Sequence, residues 1–285
     1  MSAPSLHERY QMQTPVQANK PNVRKAWDRS MRCNVIVKSF LDPYEAQLEF
    51  TALTQLQGLN SAVQLKDTYT QECIGRKEWC IVLEYADYGT LLNLLEQTQN
   101  RYLPSDWLLS CTRQLVIGLF DMHSRGVVHG DIKPSNVLCR SDGTVAFCDF
   151  GLATVASGNT APNKLERCSG TPAFVAPEII TIAVKTTSST ESQQNPSQPL
   201  QYDGYAADVW SLGVTLFVCA TGALPFDDPS EMGMFQKILG GRLQFPSKPK
   251  LSAKFQTLLR SMICKDPRKR ASTAELILHP ALNNG

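Results

Sequence analysis

The sequence predicts an α+β fold, with strands in the first part of the chain and helices in the rest. The runs Asn34–Phe40 and Cys80–Glu84 are short, apolar and rich in β-branched residues, which is typical of strands. From Trp107 to Ser124, apolar residues recur at three and four positions, as on one face of a helix. The run Val209–Ala220 is apolar on nearly every side, so we expect a helix buried in the larger part of the molecule.

The other elements can be placed in chain order. Residues 1–9 are predicted to be a disordered lead-in, and a first strand is predicted to begin near Tyr10. Glu45–Leu56 carries an apolar stripe at helical spacing, which predicts a helix. The segment 185–200 is rich in Ser, Thr and Gln with almost nothing apolar, so we expect a flexible insert.

The composition indicates a single unit and gives no sign of a nucleic-acid partner. At 285 residues the chain fits one unit of two lobes, with little left for a second domain. Its 28 Lys and Arg residues against 26 Asp and Glu give a net charge of +2, and nucleic-acid binding uses a much stronger basic field.

The sequence also predicts a soluble, cytoplasmic protein. The N-terminus MSAPSLHERYQMQ lacks the apolar core of a signal peptide, and the longest apolar run, Val209–Ala223, is too short to span a membrane. The 9 cysteines, an odd number without metal-type spacing, favour reduced thiols. We therefore expect no membrane partner, and no oligomeric state is indicated.

The stretch HGDIKPSNVLCRSDGTVAFCDFG, His129–Gly151, holds the main candidates for chemistry. Asn136 and Asp149 stand at the outer ends of two short apolar runs, and the Asp142-Gly143 pair between those runs is a strong hairpin signal. The hairpin would bring Asn136 and Asp149 side by side. An amide oxygen and a carboxylate facing one point suit Mg²⁺, which takes oxygen ligands and usually shares them with phosphates.

Two more side chains lie on the same stretch, Asp131 and Lys133. Asp131 could accept a proton from an attacking hydroxyl, and Lys133 could neutralise charge on a transferring phosphoryl group. Together with the expected metal ligands, they predict a phosphoryl-transfer enzyme.

This stretch resembles the catalytic loop of eukaryotic protein kinases and the D-F-G motif that follows it. The resemblance covers about residues 10–282, including A-P-E at 176–178. It implies the bilobal protein kinase fold, with a small β-rich N-lobe at 10–86 and a larger, mainly helical C-lobe at 87–285.

The resemblance implies a serine/threonine protein kinase that uses ATP and Mg²⁺ to phosphorylate protein substrates, other kinases among them. Lys133 and Thr171 are the serine/threonine forms of their motifs. CSGTPAFVAPE and AADVWSLGVTLFVCATGALPF are most similar to the calcium/calmodulin-dependent kinase kinases. The alternative is a pseudokinase, or a weakly active scaffold of the same fold that binds partners.

The implied catalytic residues are Asp131, Lys133 and Lys38, and the implied metal ligands are Asn136 and Asp149. Lys38 in NVIVKSF resembles the strand lysine of V-A-I-K that pairs with phosphates. The implied nucleotide-binding residues are Lys38, Glu49, Val23, Ile36, Leu83, Glu84, Ala86, Leu138, Asn136 and Asp149.

The partner of Lys38 is one of two glutamates on the predicted helix. Glu49 is the first candidate and Glu45 the second. Ile36, where the family has alanine, is expected to narrow the adenine slot.

The glycine-rich loop of the family is absent. If Val23 is the second-strand valine, the three glycine positions fall on Val16, Ala18 and Pro21. Glycine there lets backbone N–H groups approach the phosphates, so we expect that approach to be obstructed. Two interpretations remain open for Asn19, Lys20 and Asn22. Their side chains could supply contacts that partly compensate for the missing glycines, or they could form a polar turn without a role in ligand binding.

Gly130 stands where the family has an arginine that pairs with a phosphate on the activation segment. The usual phosphate-acceptor position falls on Arg167. We therefore expect activity without activation-segment phosphorylation, with Arg167 and Glu166 ordering the segment by fixed contacts.

Two structural roles follow from the resemblance. Asp208 could cap the buried helix and, as in kinases, hold the catalytic-loop backbone. Arg270 in KDPRKRAS resembles the arginine that pairs with the A-P-E glutamate, Glu178.

Overall fold

The computed structural model describes residues 6–17, 20–73, 75–156, 165, 169–188 and 201–283. Strands form a sheet in the first part of the chain, and helices dominate the rest. The predicted α+β, two-lobed architecture is confirmed.

The N-lobe is a five-stranded antiparallel sheet in the order β1-β2-β3-β5-β4. Val23 lies opposite Lys38, and Ile36 lies opposite Leu83, so these four side chains share the sheet face that borders the C-lobe. The elements of this lobe are α1 (Leu6–Arg9), β1 (Tyr10–Gln17), β2 (Lys20–Asp28), β3 (Cys33–Phe40), α2 (Pro43–Gln55), β4 (Leu65–Cys73) and β5 (Arg76–Glu84).

The predicted disordered lead-in is too long. Residues 1–5 lie outside the described residues, but Leu6–Arg9 form the short helix α1. The Arg9 guanidinium donates to Asp28 at 2.9 Å and to Asp67 at 2.7 Å, and Asp28 is only 2 % exposed. This charged link ties the chain to the sheet before Tyr10.

The C-lobe is mainly helical, with two short strand pairs, β6 with β9 and β7 with β8, beside the N-lobe. Its elements are α3 (Leu91–Gln97), α4 (Ser105–Ser124), β6 (Val127–Val128), β7 (Val137–Cys139), β8 (Val145–Phe147), β9 (Thr154–Val155), α5 (Pro177–Ser188), α6 (Gly204–Thr221), α7 (Glu231–Gly240), α8 (Ala253–Met262) and α9 (Thr273–Ile277).

Helices α4 and α6 form the centre of this lobe. The predicted apolar stripe of α4 is buried, at Leu108, Cys111, Leu115, Leu119 and Met122. Among the described residues, α6 has the length and hydropathy of a membrane span, but 78 % of it is buried inside the protein, as in a core helix.

Helix α6 begins earlier than predicted, which changes its cap. Asp203 is the N-cap, and its carboxylate accepts from the N–H groups of Tyr205 and Ala206. Asp208 lies inside the helix and does not cap it.

The predicted flexible insert also begins too early. Lys185–Ser188 form the last turn of α5, and residues 189–200 lie outside the described part of the chain. Helix α5 therefore includes the first four residues of the predicted insert, and its Ile179, Ile180 and Ile182 are buried against the C-lobe.

Candidate active site

A cleft of about 190 Å³ lies between the lobes. Val23 and Ile36 border it from the sheet and Leu138 from β7, so a flat apolar group could lie between these side chains. The cleft is lined by all the residues predicted to bind a nucleotide, namely Lys38, Glu49, Val23, Ile36, Leu83, Glu84, Ala86, Leu138, Asn136 and Asp149.

Several cleft residues were missed by motif matching. Val63 carries no motif, and nothing in the sequence marks it. Tyr85 was not missed, because it begins the run YADYGTL, Tyr85–Leu91, which resembles the hinge between kinase lobes. Thr90 and Asn93 form a capping box at the start of α3, and the threonine–asparagine spacing is a local signal that could have placed them.

Glu84 has a structural contact that the sequence did not indicate. Its carboxylate accepts from the Arg140 guanidinium at 2.6 Å and from the Gln64 N–H at 3.2 Å. The Glu84 side chain therefore links the end of β5 to the β7–β8 hairpin through Oε1.

Lys38 joins the two lobes through two carboxylates. Its ammonium donates to Glu49 Oε2 at 2.6 Å and to Asp149 Oδ1 at 2.6 Å. The side chain of Glu49 is fully buried, whereas Glu45 is exposed at the start of α2, so Glu49 is the partner and Glu45 is not. Burial lowers the pKa of Lys38, but the two carboxylates outweigh burial and raise that pKa above its usual range.

Asp149 lies between two ammonium groups. Its Oδ2 accepts from Lys20 at 3.1 Å, while Oδ1 accepts from Lys38. Burial raises the pKa of Asp149, but Lys38 and Lys20 outweigh it and hold the pKa below the usual range. Because its pKa is lowered, Asp149 is a carboxylate at neutral pH. Its backbone has φ of 65°, an uncommon conformation for a residue with a side chain.

The β7–β8 hairpin places Asn136 next to the same end of the cleft, as predicted. Val137 pairs with Phe147, and the Cys148 N–H donates to the Asn136 carbonyl at 2.9 Å. The Asn136 amide donates through Nδ2 to the Asp131 backbone carbonyl at 2.9 Å and to Asp131 Oδ2 at 3.0 Å. Its Oδ1 is thereby turned away from Asp131.

Asp131 is held by donors on both carboxylate oxygens. Lys133 Nζ lies 2.6 Å from Asp131 Oδ2 and 2.6 Å from Thr171 Oγ1. The Thr171 hydroxyl and N–H both donate to Asp131 Oδ1, at 2.8 Å and 3.0 Å. The geometry thus joins the catalytic loop to the end of the activation segment.

Buried groups hold the loop from beneath. Asp208, 1 % exposed, accepts from the N–H groups of His129 at 2.8 Å and Gly130 at 2.9 Å, as predicted for this motif. His129 is fully buried; its Nδ1 accepts from the Asp131 N–H at 3.3 Å and its Nε2 lies 3.1 Å from the Cys148 carbonyl. His129 therefore connects the loop to the residue before Asp149.

Gly130 has no room for a side chain. Its φ is 78°, and a Cβ would lie 2.7 Å from the Leu152 carbonyl oxygen. The chain after D-F-G thus packs directly on the Gly130 backbone. The predicted contacts of Glu166 and Arg167 lie outside the described residues.

The A-P-E glutamate is paired as expected. Arg270 donates to Glu178 from both terminal nitrogens, at 2.6 Å and 2.9 Å, and to the Ala206 carbonyl at 2.6 Å. The basic run around Arg270 therefore includes a buried structural arginine.

Sequence comparison identifies the family. The profile described as the protein kinase domain matches residues 22–282. The chain belongs to the protein kinase family. It is of the serine/threonine type, in agreement with Lys133 and Thr171; the narrower likeness to calcium/calmodulin-dependent kinase kinases stays a prediction.

Named kinases resemble parts of this chain. The probable serine/threonine-protein kinase KCC4 of Saccharomyces cerevisiae is 34 % identical over 204 residues, 71 % of this chain and 18 % of the relative. Serine/threonine-protein kinase ssp1 of Schizosaccharomyces pombe is 37 % identical over 171 residues, 59 % and 24 % of the two chains. CBL-interacting protein kinase 29 of Oryza sativa is 36 % identical over 205 residues, which is 72 % of this chain and 41 % of the relative. This kinase chain thus spans less than half the length of each.

Protein kinases in general use ATP and a divalent metal ion, and the residues of this kinase fit both. The Asn136 amide and the ionised Asp149 carboxylate border the same cleft. Among the described residues no three His, Cys, Asp or Glu side chains cluster as a metal site. A metal here would therefore need phosphate oxygens as further ligands, as Mg²⁺ usually does.

Proposed function

We propose that this kinase transfers the γ-phosphoryl group of ATP to Ser or Thr hydroxyls of protein substrates, other kinases among them, in the cytoplasm. One observation carries the proposal. The Lys38–Glu49–Asp149 chain lines the cleft with short contacts, and the Asp131–Lys133–Thr171 group is assembled beside it. The Asn136 amide, which borders the cleft, donates to Asp131 and links the two groups.

Each assembled group has a role in this reaction. The apolar walls would hold the adenine, and Lys38 would pair with phosphate oxygens. Asn136 and Asp149 would hold Mg²⁺, which supplies charge neutralisation at the phosphates. Phosphoryl transfer needs mainly positioning and electrostatic stabilisation, which fixed side chains of this kind provide.

Asp131 would accept the proton of the substrate hydroxyl. Its carboxylate already accepts from Thr171, Lys133 and Asn136, so one donor must release it when a substrate binds. Lys133 is the donor best suited to turn away, because its flexible ammonium can move to the transferring phosphoryl group.

The proposal is tested by Asp131→Asn. We expect this variant to transfer label from radiolabelled ATP to a generic protein substrate at least about 100-fold more slowly than the wild type. Its ATP affinity and melting temperature should stay near the wild-type values, because asparagine keeps the shape and still accepts hydrogen bonds through its one amide oxygen. Asp106→Asn, at an exposed position in the first turn of α4, is the matched control.

A pseudokinase is the second candidate, and one observation favours it. Both oxygens of Asp149 are already paired with lysines, which leaves a metal ion to compete with an ammonium group. If wild type binds ATP but transfers no more label than Asp131→Asn, the pseudokinase is the correct interpretation.

A further inference from the structure

The hairpin that replaces the glycine-rich loop brings a second lysine into the cleft. Strands β1 and β2 remain paired down to Gln17 opposite Lys20, next to the nucleotide cleft. Lys20 Nζ lies 3.1 Å from Asp149 Oδ2, and Lys38 Nζ lies 2.6 Å from Oδ1 of the same carboxylate. Two ammonium groups from different strands therefore meet at one aspartate.

The two lysines differ in how firmly they are held. Lys38 is 14 % exposed and is also bound to the buried Glu49, whereas the side chain of Lys20 is 47 % exposed, and Asp149 is its one ion-pair partner among the described residues. A half-exposed lysine on a flexible stem can exchange one anion for another at little cost. Lys38 cannot move so freely without leaving Glu49 unpaired. Lys20 is thus the mobile cation of the pair.

Among the described residues of the hairpin, the glycine positions of the family carry side chains, and one of them has no N–H. Val16 and Pro21 stand at two of the glycine positions, and proline has no N–H to offer to a phosphate. The Asn22 amide donates to the Ser39 carbonyl at 3.2 Å and is used within the sheet. Ala18 and Asn19 lie outside the described residues. Of the described side chains first considered for compensation, Lys20 is the one that reaches the cleft.

The charges around Asp149 are balanced before any ligand binds. Lys20 and Lys38 carry two positive charges against the two carboxylates Glu49 and Asp149. Without Lys20 this group would be net negative, which would repel the phosphates of ATP. Lys20 therefore brings the net charge of this group from −1 to zero, before any metal ion is counted.

We propose that Lys20 is a second phosphate-binding lysine of this kinase, whose ammonium turns from Asp149 to the phosphates of ATP and replaces the missing backbone donors. The proposal rests on the proposed function, because it assumes that ATP occupies the cleft. The inference about Lys20 makes a requirement that the proposed function does not. The positive charge at residue 20 must act on the phosphates of ATP and not on its nucleoside part.

The test is direct binding by titration calorimetry, with ATP and adenosine as probes in magnesium buffer. We expect Lys20→Met to weaken ATP binding by about 10-fold or more, since an ammonium–phosphate hydrogen bond is a strong charge-assisted contact. Adenosine affinity should not change. Lys20→Arg should keep ATP affinity within about 3-fold, because it keeps the charge. The control is Lys66→Met, an exposed lysine of β4 in the same lobe, which should bind both probes like the wild type.

Each other outcome overturns the inference. Unchanged ATP affinity in Lys20→Met would mean that residue 20 does not touch the phosphates, while the proposed function would stand. Tighter ATP binding would make Lys20 a competitor of the nucleotide and its metal. Equal weakening of ATP and adenosine would show that the hairpin had lost its shape. If wild type binds adenosine but not ATP, or neither probe, the proposed function itself fails, and this inference fails with it.

Discussion

The Lys38–Glu49 pair combines a catalytic role with a structural one. Glu49 has no exposed side-chain surface, and its Oε1 has no hydrogen-bond donor among the described residues. Lys38 is thus the group that makes burial of this carboxylate tolerable. Losing one partner of a buried ion pair destabilises a protein much more than losing an exposed pair.

We expect Lys38→Met to lower both stability and label transfer. The unpaired Glu49 should reduce the free energy of unfolding by about 3–5 kcal/mol, measured by urea denaturation. Removing the phosphate contact should slow transfer by at least about 100-fold.

A double variant separates these two effects. Lys38→Met combined with Glu49→Leu removes both charges, and it should recover most of the lost stability but none of the transfer. If Lys38→Met alone is as stable as the wild type, the buried Glu49 must be protonated or hydrogen-bonded to water, and its burial does not depend on Lys38.

The choice between Glu45 and Glu49 shows what a sequence leaves open at this scale. The two residues are one helical turn apart and therefore share a face of α2. Helical spacing cannot separate them. Only the angle at which the helix meets the sheet buries Glu49 and leaves Glu45 in solvent, and that angle is set by packing across the whole lobe.

Among the elements, α5 depends on one arginine for its position. Arg270, 6 % exposed, holds Glu178 in the first turn of α5 and the Ala206 carbonyl in the first turn of α6. One guanidinium therefore fixes the segment before α9 against the starts of two other helices.

We expect Arg270→Met to reduce the free energy of unfolding by about 3–5 kcal/mol, because Glu178 loses both its bonds in a largely buried place. Arg268 provides a matched control two residues away. Its side chain is 88 % exposed and pairs with Asp266 at the surface, so Arg268→Met should change stability by no more than about 0.5 kcal/mol. Similar urea midpoints for the two variants would contradict the structural role of Arg270.

Local rules predicted some elements well and their ends poorly. The Asp-Gly signal placed Asn136 beside Asp149 because a two-stranded hairpin fixes its own register. The start of α6 was missed because Asp203 and Asp208 both precede apolar residues, and either could cap a helix. Asp208 instead binds the catalytic-loop residues His129 and Gly130. These residues lie 79 and 78 positions before it in the chain, and no local rule predicts a contact over that separation.

At the scale of the whole molecule, the end of the activation segment is joined to the catalytic loop by direct contacts. Thr171 is bound to Asp131 and Lys133, and Leu152 packs on the Gly130 backbone. The arginine that would receive a phosphate is absent. We therefore expect these direct contacts to hold the end of the segment without a phosphate.

We expect the enzyme to keep its rate when it is free of phosphate. Protein treated with phosphatase and verified by intact mass should keep most of the untreated transfer rate, and a drop of about ten-fold or more would refute the idea. The assay should be read before any self-phosphorylation, checked again by intact mass. A larger loss that returns as phosphate returns would assign control to a site on the segment.

The long-range contacts at the cleft could not be read from the sequence. Lys38 was found because its spacing from Val23 matches a known strand pair. Lys20 has no such spacing rule, since its approach to Asp149 depends on how the hairpin bends over the other lobe. Strand pairing and hairpins are local; the meeting of two lobes is not.

The backbone around Gly130 does not accommodate the arginine that the family has at this position. An arginine there would have to adopt a left-handed backbone, at a cost of roughly 1–2 kcal/mol, and its Cβ would lie 2.7 Å from the Leu152 carbonyl oxygen. A single Gly130→Arg substitution is therefore not expected to provide phosphate control. The backbone at Leu152 would also have to move away from residue 130. That movement alone would remove the packing of Leu152 on the catalytic loop.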